Sequence, residues 1–130
     1  MEIVRLLRIF LAFCAMSCYT VFAQVKHDHP PPVKASFYAP SFEGRLMANG
    51  HRFHSDVISA ASLRFPVGTR VKVTSVKTGM SVFVTITDRG PWHTRFALDL
   101  SPAAFKALGL SMRRGWGWVT VEKYDASAER

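Results

Sequence analysis

The sequence is short of cysteine, of acidic residues and of long apolar runs. It has only two cysteines in 130 residues, Cys14 and Cys18, and both lie near the N-terminus. Arg5 and Arg8 bracket the start of an apolar run over residues 9–15, which continues patchily to Phe22. Val21-Phe22-Ala23 then offers small residues ahead of Gln24. This is the charged, apolar and small-residue order of a secretory signal peptide, residues 1–23. The run is too short and too interrupted for a stable membrane span. Cleavage after Ala23 leaves a chain without cysteine, so no disulfide is expected, although the destination is oxidising. Neither cysteine has a good lipid-attachment context. The expected location is the periplasm or cell envelope, without a lipid anchor.

Acid is scarce beside base: nine Asp and Glu against 17 Lys and Arg, a formal charge of +8 and a pI near 10.1. Losing residues 1–23 removes Arg5, Arg8 and Glu2, so the mature chain is still +7. Such a surplus favours an anionic partner. Secretion and the lack of a Lys/Arg-striped helix argue against nucleic acid. The length leaves room for one domain only. With 48% hydrophobic and 20% charged residues, the chain is expected to fold.

Residues 24–34 read as a Pro-rich linker holding His27, Asp28, His29 and Pro30 to Pro32. Two histidines in a flexible segment make a poor metal cage, so a polar leader is expected there. Strand-like runs follow at 34–38, 69–75, 80–87 and 116–124. In the second, Val71 and Val73 face one way and Arg70, Lys72 and Thr74 the other. In the third, Val82, Val84 and Ile86 oppose Phe83, Thr85 and Thr87. With Lys77-Thr78-Gly79 as a turn, these two make a hairpin. Ser101 is a natural N-cap, Pro102 suits the first turn, and Gly109 stops a helix ending near Leu108. The pattern predicts a mainly β fold, a small barrel with one short helix, over residues 35–124. The tail, residues 125–130, is polar and expected to fray.

Thr87-Asp88-Arg89-Gly90-Pro91 is the most informative stretch. An alternating strand ends in a carboxylate and a Gly-Pro turn follows, which places Asp88 at a barrel rim. Asp99 lies between Leu98 and Leu100. It can hold the helix N-terminus or stand desolvated as a second site carboxylate. Ala48-Asn49-Gly50 reads as a tight turn before His51, Phe53 and His54, with no third ligand at metal-binding spacing. Sugars stack on aromatic faces, and Phe37, Tyr38, Phe42, Trp92, Trp116 and Trp118 are candidates. Half or more of these rings are expected in the core, with Trp92 exposed.

Ala35-Ser36-Phe37-Tyr38, Gly44-Arg45, Met47-Ala48-Asn49-Gly50, Ser59-Ala60-Ala61, Pro66-Val67-Gly68-Thr69, Thr87-Asp88-Arg89-Gly90-Pro91 and Leu98-Asp99-Leu100-Ser101 together resemble the rare lipoprotein A (RlpA)-like double-psi β-barrel family. The resemblance implies a six-stranded double-psi β-barrel with an open groove. It also implies a cell-wall substrate, peptidoglycan glycan strands, cut by lytic transglycosylation. Expansins share the barrel and loosen walls without hydrolysis, so a non-catalytic wall-binding module is the alternative. Two positions depart from the lytic pattern: His51 stands where Glu is common, and Ser62 where His is common.

Transglycosylation needs a proton for the glycosidic oxygen, after which the sugar's own 6-hydroxyl attacks, so no water is activated. One carboxyl can serve both transfers in turn. Asp88 is the expected catalytic residue, with Tyr38, His51, Arg89, Trp92 and Asp99 as substrate-binding residues. No cofactor, metal or nucleic-acid partner is expected.

Overall fold

The computed structural model describes residues 29–129, together with Ile3. The segment expected to be a signal peptide (apart from Ile3), with its cysteines, and most of the expected linker lie outside the described residues. Six strands form a closed barrel: β1 (Val33–Phe37), β2 (Ser59–Ser62), β3 (Arg70–Ser75), β4 (Ser81–Asp88), β5 (Leu98–Leu100) and β6 (Trp116–Lys123). Their order around the barrel is β1-β5-β2-β4-β3-β6, closed by β6 against β1. The β1–β5 and β2–β4 pairs are parallel and the rest antiparallel. This is the double-psi architecture that the resemblance implies.

Alternation builds the core. Val71 and Val73 of β3, Val84 and Ile86 of β4, and Val119 and Val121 of β6 point inward, while their neighbours face out. Helix α1 (Pro102–Ala107) packs Ala104 and Phe105 onto this interior, with the Phe105 ring 4.8 Å from that of Phe37. The Ser101 hydroxyl accepts from Ala104 N, as an N-cap should, and also from Ser59 N. One buried side chain thus ties the helix start to β2. Gly109 ends the helix with φ +68°, a left-handed conformation that glycine adopts freely.

Two strands, β2 and β5, have no counterpart among the expected strand-like runs. β2 is Ser-Ala-Ala-Ser, every residue buried, and β5 is only three residues long. Small side chains let β2 fit between β5 and β4. β1 begins at Val33, inside the expected linker. The tail also differs from expectation. Ala126–Glu129 forms a 3-10 turn, and Asp125 accepts hydrogen bonds from the Ser127 backbone and hydroxyl. Among the described residues, no helix is long and apolar enough to cross a membrane.

Candidate active site

The site forms where register brings distant residues into one row. Ala61 of β2 lies opposite Asp99 of β5 on one side and Asp88 of β4 on the other. The β2–β4 register shifts here: Ala60 faces Ile86, but Ala61 faces Asp88, skipping Thr87. Ile86 points into the core. Plain alternation would send Asp88 inward too, and the irregularity brings it out beside Ala61. Asp99 needs no such device, because Leu98 and Leu100 on either side of it are buried and it faces out.

Three donors hold Asp88. The Tyr38 hydroxyl donates to Oδ2 at 2.8 Å, and the Ala48 and Arg89 amides each donate to Oδ1 at 2.9 Å. The Ala48 amide comes from an excursion over residues 44–53, zipped by Gly44 N to Phe53 O, Phe53 N to Arg45 O and Met47 N to His51 O. Its tip is the expected Asn-Gly turn. Gly50 has φ +86°, and the Asn49 side chain accepts from His51 N. Asn49 N donates to Thr87 O, which docks the tip on the end of β4. Phe53, Tyr38 and Ala61 form a small core beneath the excursion, separate from the barrel interior.

Tyr38 is buried, and its ring stacks on Phe53 at 4.3 Å. It was expected to meet substrate; instead its ring is enclosed and its hydroxyl is committed to Asp88. Burial, with the hydrogen bond to Asp88 adding to it, pushes that hydroxyl far above the ordinary tyrosine range, so it stays a neutral donor.

Asp99 accepts from the Ser36 hydroxyl at 3.2 Å. Burial raises its carboxyl to about 6, and the Asp88 charge adds to this while Ser36 opposes it. Of its two expected roles, the structure discards the helix-capping one, since Ser101 fills that place.

His51 is exposed in the excursion that covers Asp88. Trp92 stands 77% exposed in the loop joining β4 to β5. The Arg89 guanidinium donates to the carbonyls of Ser62 and Leu63, bracing the end of β2 against the turn after Asp88. Ser62 is buried, and its hydroxyl accepts from the Arg64 and Phe65 amides in a local turn. Of the six candidate rings only Tyr38 is buried, fewer than expected, because the narrow barrel is filled by valine, leucine, isoleucine and alanine. Ser36 was not singled out as a site residue; its place opposite Asp99 is set by the β1–β5 register, which local pattern does not reveal. His54 pairs with Glu43 at 3.1 Å, and among the described residues no cluster could hold a metal ion.

Residues 32–122 match the lytic transglycolase family. The chain is similar to the "Probable endolytic peptidoglycan transglycosylase RlpA" of Synechocystis sp., at 49% identity over 58% of this chain and 24% of that protein. It is also similar to the endolytic peptidoglycan transglycosylase RlpA of Neisseria meningitidis, at 37% identity over 68% of this chain and 37% of the relative. The chain therefore spans well under half the length of these relatives. Among solved structures, an expansin from Clavibacter michiganensis superposes with a TM-score of 0.57 at 26% identity, covering 73% of this chain and 50% of that one.

Proposed function

Because this chain belongs to the lytic transglycolase family of double-psi β-barrels, we propose that it cleaves the glycan strands of peptidoglycan in the cell envelope by lytic transglycosylation, with Asp88 and Asp99 as the reacting pair. The observation that carries this is the cross-strand row placing the two carboxyls on either side of Ala61. Asp99, raised to about 6, keeps its proton to higher pH than an ordinary carboxyl, and in that protonated form it can give it to the glycosidic oxygen as the bond to the anomeric carbon breaks. Asp88, fixed by three donors, accepts the proton of the sugar's 6-hydroxyl as that oxygen bonds to the same carbon. The products are a shortened strand and a 1,6-anhydro end. Solvent exchange then returns both groups to their starting state. Sequence pattern alone points to Asp88 for both transfers; the burial of Asp99 supports dividing them.

Tyr38 and the Ala48 amide act as positioning groups for Asp88, while Trp92 and His51 stand exposed where a sugar can meet them. The likeness to an expansin, with the departures at His51 and Ser62, favours one second reading, a wall-binding module that breaks no bond. Incubation with purified glycan strands decides between them. The parent should release 1,6-anhydro ends, and Asp88→Asn should lower the rate by roughly 10²–10⁴-fold with folding intact. Strand binding without anhydro ends would favour the wall-binding reading.

A further inference from the structure

The row that contains the acidic pair does not stop at Asp99. Ser36 of β1 lies opposite Asp99, and Trp116 of β6 lies opposite Ser36. Trp116 and Trp118 flank Gly117, which is buried with Val119, so both indoles stand on the outer face. Lys34, opposite Trp118, holds its ammonium 4.8 Å from the centre of the Trp116 ring and 5.3 Å from that of Trp118. The Arg114 guanidinium lies 3.9 Å from the Trp116 ring centre. The two indoles meet edge to face at 6.2 Å, and Trp118 remains 45% exposed. Among the described residues, neither Lys34 nor Arg114 forms an ion pair with a carboxylate. Two cations held on aromatic faces, without acidic partners, beside an open indole form a surface suited to an anionic sugar.

We propose that Lys34, Arg114, Trp116 and Trp118 form a second saccharide subsite on the same glycan path, one that recognises a carboxylate carried by the strand. The proposal rests on the glycan reading above and extends it to a named site. Trp116 is two strands from Asp99, roughly 10 Å along the sheet, about the length of one disaccharide. A strand with one linkage at the acidic pair therefore reaches the indoles with its next repeat. Trp118 offers the apolar face for the sugar ring's C–H edge, and the cations meet the carboxylate. That carboxylate comes either from the lactyl ether of the sugar or from a stem peptide attached to it.

The test measures binding in an Asp88→Asn background, where the strands survive. Three probes are titrated: peptide-free glycan strands, strands retaining stem peptides, and a neutral chitooligosaccharide. Trp118→Ala should weaken binding of all three about tenfold, and Trp118→Phe should recover part of it. Lys34→Gln with Arg114→Gln should weaken binding of carboxylated strands by about two- to fivefold per charge and leave the chitooligosaccharide unchanged. A charge effect with peptide-free strands assigns the lactyl carboxylate, and one seen only with peptide-bearing strands assigns the stem peptide. If Trp118→Ala binds like its background, or the charge variant weakens the neutral probe equally, the subsite is overturned while the transglycosylase reading stands. If the background protein binds no probe and the parent releases no anhydro ends, both fall together.

Discussion

The carboxyl of Asp99 sits at about 6 in the folded chain against an ordinary 3.8, chiefly through burial. The folded state therefore holds that proton more tightly than the unfolded state does. Between these two values the folded chain binds more protons, and stability falls as pH rises. The favourable contribution is complete below about 3.8 and is lost as pH passes through about 6. Asp99→Asn removes the titrating group and keeps an acceptor for the Ser36 hydroxyl. This substitution should flatten the slope of stability against pH in that window. It should also stabilise the protein by about 1–2 kcal/mol at pH 7.5, allowing for partial solvent screening, with little change at pH 4. Denaturant midpoints at the two pH values check this. An unchanged slope would place the titration elsewhere. Catalysis should move the other way: if Asp99 is the proton donor, Asp99→Asn gains stability and loses anhydro-end release.

The junction of β5, α1 and β2 depends on one hydroxyl. Ser101 is fully buried, and its Oγ accepts both the Ala104 and Ser59 amides. Ser101→Ala removes the cap and leaves a buried amide of β2 without a partner. It should cost about 2 kcal/mol, read as a lower urea midpoint with an unchanged slope. The helix and its cap were legible in sequence, because Ser101, Pro102 and Gly109 each carry a local conformational preference. The β3–β4 hairpin and β6 were legible for a similar reason, since they alternate over six to eight residues. β2 and β5 were not: four small residues and a three-residue Leu-Asp-Leu carry almost no periodic signal, and their pairing comes from residues far away. The same limit applies to the site. Asp88 was visible as a carboxylate ending a strand before a Gly-Pro turn, but its nearness to Asp99 depends on β2 lying between them. Its outward direction depends on the register shift at Ala61. No local pattern encodes either one.

Over the whole molecule, charge separates long-range attraction from local chemistry. The chain has a formal charge of +8, while the proposed reacting groups are two carboxyls held by neutral hydrogen-bond donors. Arg45, Arg52, Arg64, Arg95, Arg113 and Lys106 are all exposed, on several elements rather than along one face. A distributed positive surface raises the local concentration of an anionic polymer without fixing its register. Its attraction is screened over about 10 Å at 0.1 M salt and about 3 Å at 1 M. Apolar stacking and the proton transfers proposed for Asp88 and Asp99 are not screened in this way. Raising the salt from about 0.05 M to 0.5 M should therefore weaken binding to intact peptidoglycan by roughly tenfold or more. Affinity for a neutral chitooligosaccharide should stay within about twofold. The maximal rate of anhydro-end release, measured at saturating strands, should also hold, so that salt acts on half-saturation and not on turnover. Equal salt sensitivity for the charged and neutral glycans would show that the basic surface does not contribute to capture. A fall in the maximal rate itself would place a screened ion pair within the reacting groups, where, among the described residues, Asp88 and Asp99 are held by hydrogen bonds and by no ion pair.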